Sequence, residues 1–232
     1  MKHQTTRLVV LLLATLLGWL SSAEAQPIPS SAVACYLVGR AHLNLKPDGT
    51  GQAQDFGYFT GITGISGSLF NGAPSESTAF FTYRTDVLSI TPVRSNGDIA
   101  LVLGSAGTFD IYYNSSPSGD WSNPDTFSSG QLVARFARPE FLVLQILQSD
   151  STNPPPFESI TDVAATLALA KSQSFTFKGH KYDFRAIVPG GITVNEFASN
   201  TGVPGITGFP IAQALAGHCV AVPSKDEDQD KR

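Results

Sequence analysis

The sequence predicts an all-β chain closed into an antiparallel β-barrel, with at most one short helix. Three observations carry this. Roughly ten to twelve short runs of strand formers follow one another, a pattern of sandwiches and barrels. Turn residues separate the runs: Pro47-Asp48-Gly49, Asn96-Gly97 and Pro189-Gly190-Gly191 are examples. The two cysteines, Cys35 and Cys219, fall in the first and last runs, which become neighbours if the sheet closes. Closure also removes exposed strand edges. A two-sheet β-sandwich is the alternative arrangement of the same strands.

Residues 1–25 read as a signal peptide. Lys2 and Arg7 give a basic start, Leu8–Leu20 is apolar, and Ala23-Glu24-Ala25 offers small residues for cleavage after Ala25. The apolar run is too short for a comfortable bilayer span, and no later run is long enough for a transmembrane helix. The expected location is therefore secreted or periplasmic. Residues 26–223 form one β-rich domain, and 224–232 a charged, disordered tail with no apolar residue. The exported part carries 13 basic and 18 acidic residues, a net charge of −5. That balance and the lack of a basic stripe exclude a nucleic-acid partner. An oxidising compartment pairs Cys35 with Cys219, stapling nearly the whole domain.

In chain order, Ala32–Val38 reads as a buried strand and Ala41–Leu45 as a half-buried one. Gln52–Thr60 returns. Gly61–Gly72 is turn and bulge chemistry, since a phosphate loop requires a lysine and a helix that are missing. Glu76–Thr85 and Val87–Arg94 are strand-like. Asn96-Gly97 marks a hairpin into Ile99–Leu103. Phe109–Tyr113 enters a polar loop, Asn114–Gly130, and the chain returns as Gln131–Ala137 and Phe141–Leu147. Ser149–Glu158 is a proline-rich surface loop. Ile160–Lys171 alternates as a strand does, although its alanines and leucines also suit a helix. Ser174–Phe184 is a hairpin with one aromatic face, and Arg185–Val188 prolongs it. Ile192–Phe197 and Ile211–Val222 close the sheet.

Few motifs carry chemistry. There is no Gly-x-Ser-x-Gly elbow, and of the exported histidines His42 lies in an alternating run, where a structural role is expected. The spacings of a zinc site are missing, and no metal or other cofactor is expected. Asp120, Asn123 and Asp125 are hard oxygen donors on one loop with Trp121. Asx-turn chemistry explains them better than calcium, because the glycine and terminal glutamate of an EF-hand are missing. Asp120, Trp121 and Asp125 remain the ligand-binding candidates. His180, Tyr182 and Asp183, with Tyr112, are the candidate acid–base groups for a metal-independent cyclase or isomerase. Alternation sends Lys181 and Asp183 to one face and Tyr182 to the other. Asn114-Ser115-Ser116 is a glycosylation sequon, meaningful only in a eukaryotic secretory pathway.

The chain is therefore expected to be a non-enzymatic exported β-domain that binds a small apolar ligand or a protein partner. The alternatives are a cyclase or isomerase in a barrel, and a structural or cell-surface component.

Overall fold

The computed structural model describes residues 26–96, 99–148, 158–199 and 202–224. The stretch read as a signal peptide, residues 225–232 of the charged tail, most of the expected proline-rich loop and residues 97–98 lie outside the described residues. The strands are β1 (Val33–Leu45), β2 (Gly51–Ile62), β3 (Phe81–Thr85), β4 (Leu88–Asn96), β5 (Ile99–Gly104), β6 (Gly107–Tyr113), β7 (Gln131–Arg138) and β8 (Phe141–Gln148). They continue as β9 (Glu158–Ser172), β10 (Phe175–Phe177), β11 (His180–Tyr182), β12 (Ile192–Ser199) and β13 (Ile211–Ala221). A single turn of helix, α1 (Phe184–Ile187), follows β11.

Eight strands close a ring in the order β1-β2-β3-β6-β7-β9-β12-β13, with β13 pairing back to β1, and every pairing is antiparallel. The strands β4, β5 and β8 extend this ring along its axis, bridging β2 to β9. Register shows why. Tyr83↔Ile111 between β3 and β6 runs without a slip into Ile90↔Gly104 between β4 and β5. Gly107↔Arg138 between β6 and β7 continues into Gly104↔Phe141 between β5 and β8. Thus β3 with β4, β5 with β6, and β7 with β8 are three long strands, each briefly interrupted. The molecule is an up-and-down barrel of eight consecutive strands.

The interruptions at Asp86-Val87, Ser105-Ala106 and Pro139-Glu140 have side-chain causes. The Asp86 carboxylate accepts the Thr108 N–H at 3.0 Å, and the Ser105 hydroxyl oxygen accepts the Ser89 N–H at 3.0 Å. These bonds replace ladder bonds. Pro139 has no N–H to contribute.

Cys35 and Cys219 are bonded and sit opposite each other on β1 and β13. The barrel is closed at that end by the β10–β11 hairpin and α1. The hairpin turns on Lys178 and Gly179, both with positive φ, between the pair Phe177↔His180. Phe175, Phe177, Tyr182 and Phe184 are buried. Phe81 contacts Phe175 and Phe177 edge-on, at ring centroid distances of 5.6 and 5.1 Å. Lys178 Nζ donates to the Ser68 carbonyl at 2.8 Å, and the Tyr182 hydroxyl accepts the Ser66 N–H at 3.2 Å. Those two bonds tie the plug to the loop after β2.

Several expectations are corrected. Residues 33–45 form one strand, not two, because Gly39 serves close packing and not a turn. The strand expected from Glu76 starts at Phe81; residues 75–78 make turn bonds centred on the Thr78 hydroxyl. The stretch Arg185–Val188 does not prolong the hairpin. The Asp183 side chain accepts the Arg185 N–H and caps a helical turn there. The ambiguous segment is a strand, β9, because its alternate residues Ala165 and Leu167 are buried between β12 and the barrel core.

Candidate functional site

Inward-facing residues on the plugged side are apolar and closely packed. Phe59, Tyr83 and Phe136 have no solvent exposure. Tyr83 stacks on Phe109 at 5.0 Å and meets Phe59 edge-on at 5.6 Å. A cavity of about 10 Å³ remains between Cys35, Phe59, Ile111, Phe136, Phe184 and Ile187. It is too apolar to hold water well and scarcely large enough for one molecule.

Next along the barrel axis lies a polar layer. Asp55 on β2 and Arg138 on β7 face each other, Arg138 Nη1 to Asp55 Oδ2 at 3.8 Å. In the ring, β3 and β6 stand between those strands, so the pair meets across the interior. Glu196 on β12 joins the same two residues: its charge raises Arg138, and Asp55 and Arg138 both act on its own carboxyl. Thr161 on β9 donates to the Gln213 amide oxygen on β13 at 3.1 Å, again skipping a strand. The Thr85 hydroxyl oxygen accepts the Asp55 N–H at 2.9 Å, and the Gln54 amide donates to the Thr85 carbonyl at 3.0 Å. These bonds lie where β2 changes partner from β3 to β4.

Tyr83 reaches this layer from β3. Its ring crosses Gly57, and its hydroxyl ends over Gly39 on β1. A Cβ on Gly39 would sit 2.1 Å from the hydroxyl oxygen, and one on Gly57 would sit 2.9 Å from the ring. Gly217 plays the same part for Glu196, whose Cγ would lie 3.0 Å from an added Cβ. The inward glycines therefore make the space these two polar side chains occupy. The Tyr83 hydroxyl is fully buried and has no hydrogen-bond partner. Such an atom carries a desolvation cost of about 1–3 kcal/mol.

Burial dominates the ionisation of the layer. It raises the Glu196 carboxyl to about 8, with the Asp55 charge adding to the rise and Arg138 opposing it. Burial also raises Asp55, against the pull of Arg138. Burial, Glu196 and Asp55 push the Tyr83 phenol well above its ordinary value. At neutral pH the Glu196 carboxyl therefore keeps its proton.

Exposure differs between the two sides of the layer. The Asp55 side chain is 12% accessible, and the inward Ala41, Ala53 and Thr161 are 8–9% accessible. On the plugged side Phe59 and Phe136 have none, while Cys35 and Ile62 keep 6% and 7%.

The residues selected from sequence lie elsewhere. His180 is exposed at the plug hairpin, with its ring 6.3 Å from Tyr182. Tyr182 holds Ser66, as above. Asp183 accepts hydrogen bonds from Ser172 and Ser174 as well as capping α1. Tyr112 is on the outer face of β6 and donates to Asp110 at 3.2 Å; burial and Asp110 push its phenol up to about 12. Asp110 also holds Arg135 through two bonds, at 2.8 and 2.6 Å.

The loop between β6 and β7 covers the outside of the barrel. Asp120 accepts the N–H and hydroxyl of Ser122, Asn123 caps a 3-10 turn over Pro124–Ser128, and Asp125 pairs with Arg84 at 2.6 Å. Asn114 accepts the Ser116 N–H at 2.9 Å in an Asx-turn of its own. Trp121 packs on Phe127 at 5.0 Å and receives the Arg40 guanidinium over its ring at 4.6 Å. Beneath it, Phe56 stacks on His42, whose ring is fully buried. Among the described residues no three His, Cys, Asp or Glu side chains gather at metal-binding distance.

The sequence reading missed the polar layer. Its signal was present: Ile192, Val194, Glu196 and Ala198 share one phase, so a carboxylate stands in an apolar row. Comparison with known proteins gives no match to a family model, a curated protein or a solved structure. The eight-stranded barrel and its buried layer therefore stand on their own geometry.

Proposed function

We propose that the barrel binds a small, largely apolar molecule through a neutral polar group that reaches the central layer. The observation that carries this reading is the buried, unpartnered Tyr83 hydroxyl. Glu196 and Asp55 stand close enough to act on it, in the layer that also holds Arg138. A hydroxyl in that position donates to a carbonyl or ether oxygen. Arg138 already faces Asp55 at 3.8 Å within the layer, which favours an uncharged head group over a carboxylate or an amine. The polarity of the barrel fits a role in water. Its described interior is apolar around the layer, and its outer face carries Arg84, Asp110 and Arg135 in mid-strand. A lipid-facing barrel has the reverse pattern.

The test compares 2-decanone with decane by isothermal titration calorimetry. The ketone is expected to bind about three- to tenfold tighter, the value of one net hydrogen bond. Tyr83→Phe is expected to erase that preference while leaving the melting temperature in place or raised. Equal affinities for ketone and alkane in the wild-type protein, or no binding of either, defeat the reading.

A further inference from the structure

We propose that the central layer also moves a proton, enolising a bound ketone: Asp55 takes the proton from the α-carbon while Tyr83 and Glu196 hold the carbonyl oxygen. The inference rests on the binding reading and assigns chemistry to the same groups.

The geometry supplies three roles. Tyr83 and Glu196 are directed into neighbouring gaps on one wall, over Gly39 of β1 and Gly217 of β13. Those glycines are diagonal inward neighbours, since Gly39 pairs with Leu215 and Leu37 with Gly217. Two side chains that can each present an O–H thus converge on one region without bonding each other, because the Tyr83 hydroxyl has no protein partner. An oxygen placed between them completes both. Asp55 stands on the same wall, on β2 between β1 and β3, and Arg138 reaches it across the interior from β7 at 3.8 Å. Arg138 is a positioning residue. Its charge also favours the ionised form of the buried Asp55.

The step balances without any further reactant. The Asp55 carboxylate accepts the α-proton. The C–H electron pair becomes the carbon–carbon double bond, and the carbonyl π pair moves to oxygen. The oxygen charge is met by the O–H groups of Tyr83 and Glu196, which a low-dielectric site makes effective. Asp55 then returns a proton to carbon, to the same position or, in a conjugated ketone, to the γ-carbon. The raised Glu196 carboxyl keeps its donor proton at neutral pH, and the raised Asp55 is a stronger base than an exposed aspartate.

The reaction is read by deuterium uptake at the α-carbons of 2-decanone in D₂O, followed by NMR. Binding is measured on the same samples. Wild-type protein is expected to accelerate uptake at least tenfold over buffer. Asp55→Asn should return it to the buffer rate with the ketone still bound, and Tyr83→Phe should lower it at least tenfold. Glu196 is faced by Asp55 from β2, Arg138 from β7 and Tyr83 from β3, with uncharged Gly217 opposite it on β13. Uptake should therefore fall as pH rises through about 8, where Glu196 loses its proton. Bound ketone exchanging at the buffer rate overturns the catalytic inference alone. Absence of binding overturns it together with the reading it rests on. Should Asp55→Asn fail to fold, the conservative Tyr83→Phe and the pH profile decide the matter.

Discussion

Glu196 and His42 are two buried ionisable groups that act on stability in opposite pH windows. The Glu196 carboxyl titrates near 8 in the folded chain and near 4.5 when unfolded. Between those values the folded state holds a proton that the unfolded state has lost. Its contribution to stability is thus complete below about pH 4.5 and is lost as pH rises through 8. Glu196→Gln should remove this slope, raising the melting temperature at pH 8 relative to wild type and leaving it nearly unchanged at pH 4.5. His42 behaves the other way. Burial and the adjacent Arg40 lower its imidazolium to about 4 from 6.5. Its contribution is present above pH 6.5 and is lost as pH falls through 4. His42→Phe should flatten the acid limb of the stability curve between those values. A pH-stability profile by thermal melting checks both, and identical slopes in variant and wild type would count against each assignment.

Among the elements, the plug is the one whose structure depends most on a single side chain. Asp183 caps α1 and draws Ser172 and Ser174 onto itself, which ties the end of β9 to the turn after β11. Burial alone raises such a carboxyl, but the Ser172, Arg185 and Ser174 hydrogen bonds outweigh it, and the group is held below its ordinary value. Asp183→Ala should cost about 0.5–2 kcal/mol in urea unfolding, the usual loss for a helix cap. Hydrogen exchange should quicken first in residues 175–188. The loop over Pro124–Ser128 is anchored differently, by burial of Phe127 against Phe56 and by the Thr82 hydroxyl donating to the Phe127 carbonyl at 2.7 Å. Its acidic residues sit at the surface. The Asp125–Arg84 pair, exposed on the acidic side, adds at most about 1 kcal/mol.

At the scale of the whole molecule, the disulfide joins residues 184 apart in sequence and sits on the seam where the last strand meets the first. In the chain-entropy view a loop of that size is worth about 5 kcal/mol. Replacing both cysteines by alanine should lower stability by about 2–5 kcal/mol in denaturant unfolding. The double variant should keep its far-ultraviolet circular dichroism at low denaturant, because the β1–β13 ladder does not require the bond. The layer couples to the same closure. Arg138→Met leaves Asp55 and Glu196 without their cation, and removing one partner of a buried pair costs about 3–5 kcal/mol.

The amino-acid sequence by itself determined which residues become strands and which face each strand buries, because alternation and turn chemistry are local. The hairpin at Asn96, the aromatic hairpin at Phe175–Tyr182 and the pairing of Cys35 with Cys219 follow from neighbours along the chain or from a closed sheet. The apolar row of Ile192, Val194 and Ala198 also held the signal of Glu196, which the sequence reading passed over. Only the tertiary structure decided that Asp55, Tyr83, Arg138 and Glu196 meet. They come from four strands that are not adjacent in the ring, apart from the shared wall of β2 and β3. Their convergence depends on which strands face one another across the barrel, and that is set by closure and stagger. The long strands were hidden for a similar reason. Asp86, Ser105 and Pro139 look like turn residues in sequence, yet continuous register carries the ladder past all three.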